Sequence, residues 1–194
     1  MKNLYSFIQA GLLGAVLLLA TPQAQAAITV VHKATASSGS GNTATATLSS
    51  TTAGNLLVIA VWYGDSSAQS PTFTDNGSVH NTYILVAEAN IGVNSFSRCQ
   101  IWYAKNITGG VTSLAVAGST GSATPRCCVY EISGADPAAP LDGFSSISGK
   151  TGVPSASITA NSGDIVIATA SAQAPPDGAS SPFCLFRNVP AVFH

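Results

Sequence analysis

Charged side chains are scarce in this chain: Asp, Glu, Lys and Arg make up 8% of its 194 residues, against about a quarter in an ordinary globular domain. The formal net charge is −1 and the seven Lys and Arg are scattered. No basic stripe exists to neutralise phosphates, so neither nucleic acid nor an anionic membrane surface is an expected partner. Helical periodicity is also missing after the first 26 residues, which excludes bundle and α/β architectures. The four cysteines include no Cys-x-x-Cys pair and the three histidines are not clustered, so zinc is not expected from spacing. An EF-hand pattern and an Asp-rich repeat are absent as well.

What is present begins with an export signal. Residues 1–26 carry Lys2, an apolar core through residues 11–20, and small residues at Ala24 and Ala26, the layout of a secretory signal peptide. The mature chain is expected to start near Ala27, outside the cytoplasm: secreted, on the cell surface or in the periplasm, with no membrane association after cleavage. Ser, Thr, Ala, Gly and Asn then fill the intervals between apolar runs, the texture of an extracellular β-protein.

The most informative run is GNLLVIAVWYGD at residues 54–65. Turn residues bracket a stretch of aliphatic and aromatic side chains without polar alternation, which predicts a central strand buried on both faces. Shorter strands are expected at 28–34, 43–48, 72–74, 82–89, 95–105, 111–117, 126–133, 155–159 and 164–170, with 82–89 and 95–105 as a hairpin. Two prolines, Pro137 and Pro140, close the run at 126–133. The pattern predicts an all-β fold, an antiparallel β-sandwich of jelly-roll or immunoglobulin-like type, with a closed barrel as the alternative. Residues 27–174 form the expected domain. Residues 175–194 read as an irregular tail with a truncated or altered texture, leaving the last strand missing.

Four blocks carry a family resemblance: GNLLV at 54–58, FTDNG at 73–77 with NTY at 81–83, IWYAKN at 101–106 followed by GGVT at 109–112, and VYEISG at 129–134 with PLD at 140–142. Together they resemble exported bacterial β-sandwich domains, over roughly residues 28–171. The resemblance implies the fold and the exported location; it carries no catalytic residue.

Several constellations invite a chemical reading. Gly64-Asp65-Ser66 after a strand, with Gly92-Val93-Asn94, resembles the nucleophile and oxyanion blocks of GDSL-type esterases. That chemistry needs an oriented base, and none of His32, His80 or His194 follows an Asp by three residues. Among the carboxylates Glu88 and Glu131, in the interior of expected strands, are the candidate pair for a glycosidase, which would need two such groups a few ångströms apart. Asp65, Asp75 and Asn76 are a candidate calcium set at one edge of the sandwich; no other cofactor is indicated. Asn76 and Asn106 each open a glycosylation sequon, read as turn composition.

The aromatic pairs Trp62-Tyr63 and Trp102-Tyr103 are the candidate ligand-binding residues, because strand alternation sends one ring of each pair to each face. An outward row of rings would stack on sugar or polymer; large rings on central strands otherwise serve the core. Export permits disulfides. Since Cys127 and Cys128 point to opposite faces, the expected bridge joins Cys99 to one of them, leaving Cys184 in the tail. The functional expectation is a non-catalytic secreted or surface module for binding, adhesion or assembly, with polysaccharide or another surface protein as partner. Self-association through an open sheet edge is a further expectation. A small secreted hydrolase of ester or glycosidic bonds is the alternative.

Overall fold

A computed structural model describes residues 27–64, 70–90, 97–118, 124–147, 156–169 and 189–194. Among them are eleven strands and no helix: β1 (Thr29–Ser37), β2 (Thr43–Thr47), β3 (Leu56–Gly64), β4 (Thr72–Asp75), β5 (Ile84–Asn90), β6 (Ser97–Ala104), β7 (Ser113–Ala117), β8 (Arg126–Ser133), β9 (Leu141–Phe144), β10 (Ile165–Thr169) and β11 (Val189–Phe193). All pairings are antiparallel. The protein is all-β, and its sheets pack face to face as in a sandwich.

Among the described residues the strands form three sheets: a five-stranded sheet in the order β1-β8-β3-β6-β5, and two three-stranded sheets, β2-β7-β4 and β10-β11-β9. The large sheet lies between the small ones. Leu57, Ile59, Val61 and Tyr63 of β3 pack with Ala44 and Ala46 of β2 and Leu114 and Val116 of β7. Leu56, Val58 and Ala60 pack with Ile167 of β10 and Ala191 and Phe193 of β11. Both sets of alternating positions on β3 are therefore buried, which is why its sequence shows no polar alternation. Each fully buried aliphatic side chain contributes roughly 1.5–3 kcal/mol, so a charged residue at Val58 or Ile59 is incompatible with the stack.

Gly54 opens β3 with a positive φ of 87°, a conformation open to glycine at little cost. Residues 49–55 are then tied to the β6–β7 connection. The Gly54 N–H donates to the Ile107 carbonyl at 2.9 Å, the Ile107 N–H to the Asn55 carbonyl at 3.0 Å, and the Gly110 N–H to the Thr51 carbonyl at 2.8 Å. At Gly109 a Cβ would come within 2.8 Å of the Ala53 backbone nitrogen, so glycine there is a requirement of close approach.

The hairpin of β5 and β6 forms as expected, from Ile84↔Tyr103 to Asn90↔Arg98, with a register shift between Leu85 and Ala87. Two strands were not expected. β9 follows Pro140 directly, and β11 comes from the region read as an irregular tail. β11 is the middle strand of its sheet despite Pro190; that residue pairs with Ala168 of β10, while pairing with β9 starts at Ala191. The proline thus sits where only one neighbour is bonded, a position that tolerates a missing donor. The strand expected at 155–159 is not found in its described part, 156–159.

Candidate functional site

The β5–β6 strand pair carries a polar row on the face it shares with the β2-β7-β4 side. Arg98 Nη1 donates to Glu88 Oε1 at 2.9 Å, Gln100 Nε2 to Glu88 Oε2 at 2.5 Å, and Trp102 Nε1 to Gln100 Oε1 at 2.8 Å. Register explains the row: Glu88 lies opposite Gln100, and Arg98, Gln100 and Trp102 follow at every second position of β6. Gln100 is fully buried, while the side chains of Arg98 and Glu88 are 14% and 27% exposed. Trp102 is half-buried, with its ring 5.0 Å from Phe73, which in turn stacks on Tyr83 at 5.0 Å. Exposed Leu85 lies opposite Trp102 on β5.

The other expected aromatic residues are dispersed. Tyr63 is fully buried in the core on the same side as Trp102, whereas Tyr103 points to the opposite layer, edge-on to Phe193 with centroids 6.0 Å apart. Trp62 is half-buried beneath the Arg126 guanidinium, 5.2 Å from its ring, a cation–π contact. Each Trp-Tyr pair does split between faces, but the four rings form no common row.

Asp75, one of the calcium candidates, is buried and saturated by donors. Its Oδ1 accepts from the Gly77 N–H at 3.2 Å and lies 3.1 Å from His80 Nδ1. Its Oδ2 accepts from the Asn81 N–H and Nδ2, both at 3.0 Å, and from the Tyr83 hydroxyl at 2.7 Å. Burial alone would raise its carboxyl, but these donors outweigh it and hold Asp75 below the usual carboxylate range. Burial, reinforced by the Asp75 charge, pushes the Tyr83 hydroxyl well above its ordinary value.

Asn76 is engaged too, its Oδ1 accepting from the N–H groups of Thr112 and Ser113 at 2.9 Å each and its Nδ2 donating to Thr112 Oγ1 at 2.8 Å. Asp65, the third calcium candidate, lies outside the described residues. Among the described residues there is no cluster of three or more His, Cys, Asp or Glu able to hold a metal. Asp75 and Asn76 instead fasten the β4–β5 connection.

A carboxylate–histidine pair, Asp75–His80, therefore exists, with the His80 side chain 71% exposed. The Asp-x-x-His spacing does not describe this pair, whose members are five residues apart across the DNGSVH turn. Ser66 and residues 92–94 lie outside the described residues. A second pair joins adjacent strands: Glu131 of β8 is fully buried, its Oε1 accepts from the Thr52 N–H at 2.8 Å and Asn55 Nδ2 at 2.6 Å, and its Oε2 lies 3.7 Å from His32 Nε2.

Two sequence-based pairings are corrected by the sheet order. Glu88 and Glu131 were the candidate glycosidase pair, but β6 and β3 separate their strands, which spaces them by about 14 Å across the sheet, too far for a shared glycosidic bond. Cys99 was expected to bridge Cys127 or Cys128. Register places Cys99 opposite Trp62 on one side of β3, and Cys127 and Cys128 opposite Val61 and Ala60 on the other. Two strand spacings, about 10 Å, exceed the reach of a disulfide, and no disulfide joins these three residues.

Comparison with protein-family models, curated proteins and solved structures gives no match. Among the described residues, no helix is long and apolar enough to cross a membrane.

Proposed function

We propose that this protein is an exported, non-catalytic β-sandwich module that binds polysaccharide through the Trp102 end of the β5–β6 polar row. The observation that carries the reading is the line Arg98–Glu88–Gln100–Trp102. A half-buried indole donates its N–H to a buried amide, beside a partly exposed charged pair. Sugar recognition uses that combination, a ring face for the apolar side of a pyranose and fixed polar groups for its hydroxyls. The export signal and the near-neutral surface agree with a polymer outside the cell.

The test is a glycan array with the mature protein, followed by titration of Arg98→Ala, Glu88→Gln and Trp102→Ala. Binding to at least one glycan is expected, weakened about tenfold or more by each substitution, in line with loss of a well-placed contact. Because Trp102 also packs against Phe73, the Arg98 and Glu88 variants are decisive if Trp102→Ala unfolds. Absence of glycan binding, or binding indifferent to all three changes, overturns the reading.

The alternative, a small secreted hydrolase of ester or glycosidic bonds, draws on Asp75–His80, in which a buried carboxylate orients an exposed imidazole as hydrolases require. Hydrolysis of p-nitrophenyl esters or glycosides that is abolished by His80→Ala favours it. Turnover equal in protein and variant removes it.

A further inference from the structure

Both oxygens of Glu88 are committed inside the polar row: Oε1 accepts from Arg98 Nη1 at 2.9 Å and Oε2 from Gln100 Nε2 at 2.5 Å. Arg98 is therefore not a free cation. Its charge is met by that of Glu88 in a pair largely withdrawn from water, where screening is weak and the partners hold each other firmly.

No second cation stands beside the row. Among the described residues Arg98 alone brings a positive charge to this face of β5 and β6. Arg126 covers Trp62 on the opposite face, Lys33 lies over Tyr130, and Lys105 donates to the Ala138 carbonyl. The connections that flank these strands, 65–71, 76–83 and 91–96, contain no Lys or Arg in sequence. Asp75, behind the Phe73–Tyr83 stack, is held below the usual carboxylate range by its donors, so the neighbourhood carries a negative charge beyond the neutral pair. The row also has length: Arg98 and Trp102 are four residues apart on β6, about 13 Å of extended strand, which exceeds one sugar ring and suits an internal stretch of a polymer.

We infer, on the reading that this row binds polysaccharide, that Glu88 is its specificity-determining residue: by neutralising Arg98 it restricts the site to uncharged polysaccharide and turns away uronate and sulfated chains. A free guanidinium takes a carboxylate or sulfate through parallel N–H donors. Glu88 fills that role from within the chain. An incoming anion would have to displace it or lie beside it, like charge against like, which is how a site rejects a wrong partner. An uncharged pyranose meets no such penalty: its hydroxyls bond the partly exposed pair, and its apolar face covers the indole and the exposed Leu85 opposite.

The test is calorimetric titration of the mature protein with neutral oligosaccharides (glucan, mannan and galactan series) and with acidic ones (oligogalacturonate, oligoguluronate and heparin fragments). At least one neutral series should bind, with affinity rising from monosaccharide to trisaccharide and changing less than about twofold between low and high salt. Acidic series should bind at least about tenfold more weakly. Glu88→Gln leaves Arg98 without its counter-charge, so acidic oligosaccharides should gain about tenfold or more, in a manner that high salt suppresses. Adding Arg98→Gln to that variant should abolish the gain. If Glu88→Gln fails to fold, the charge preference and salt response of the parent decide alone. A parent that binds acidic chains as well as neutral ones, or a folded Glu88→Gln with no gain for acidic chains, overturns the role of Glu88 while the polysaccharide reading stands. Absence of binding to either kind removes that reading and this inference together.

Discussion

Asp75 and Glu131 are both buried carboxylates, both fasten a loop, and both have a histidine beside them, yet their environments differ. Asp75 faces five donors divided between its two oxygens. Glu131 concentrates its hydrogen bonds on Oε1 and leaves Oε2 to His32 at 3.7 Å. A saturated carboxylate has no lone pair left to offer a ligand. A half-satisfied one retains capacity for chemistry, and the bulge in β1 that turns His32 toward it is the backbone's share of the same arrangement.

The largest effect should come from Asp75→Asn. Whichever way the amide is turned, its NH₂ confronts donors, so buried N–H and O–H groups lose their acceptor. A loss of about 3 kcal/mol is expected, read as a drop in Tm of roughly 6–12 °C. Asp75 also fixes the acid response. Its folded pKa lies below the ordinary value, so its contribution is present above about pH 4 and is lost as pH falls through the folded pKa. The stability difference between parent and Asp75→Asn should therefore shrink below about pH 4. A difference that stays constant would mean that Asp75 is not held ionised by these donors.

Tyr83→Phe should cost less, about 1.5 kcal/mol, since one donor to Asp75 is lost and the ring stack with Phe73 stays. The Tyr83 hydroxyl is raised, so its contribution is complete below the unfolded value near pH 10 and falls as pH rises beyond it. Urea unfolding at pH 7 and pH 10.5 should show the parent converging on the variant at the higher pH.

Much of the fold was legible because β3 states its environment in its own composition: apolar at every position, hence covered on both faces. What covers the second face was not legible. β9 reads LDGF and β11 carries Pro190, so neither has the local signature of a strand, and both exist because β3 and β6 offer an apolar surface for Phe193 and its neighbours to cover. The aromatic pairs behaved likewise. Alternation predicted that each would split between faces, but which ring keeps an exposed edge depends on the layers above, so Trp102 could not be separated from Tyr63. Asp75–His80 has a spacing of five that matches no catalytic motif, and Glu131–His32 depends on one shifted residue in β1.

Glu131→Gln should cost only about 1 kcal/mol, which sharpens the contrast with Asp75→Asn. The amide oxygen can remain with Thr52 and Asn55, and the NH₂ then takes the position of Oε2, which accepts no hydrogen bond from the described residues. Equal losses in the two variants would show that Oε2 is as fully engaged as either oxygen of Asp75.

His80→Ala is expected to change least, within about 0.5 kcal/mol, because the imidazole is 71% exposed and water screens its attraction to Asp75. The carboxylate would keep its bonds from Gly77, Asn81 and Tyr83, which set the conformation of the loop without the ring. A small loss therefore makes His80 a side chain presented to solvent by a loop that does not need it, the property required of a residue kept for contact with something outside the chain. A loss above 1.5 kcal/mol would instead make the ring a structural member of the Asp75 cluster, and would remove the observation on which a hydrolytic reading depends.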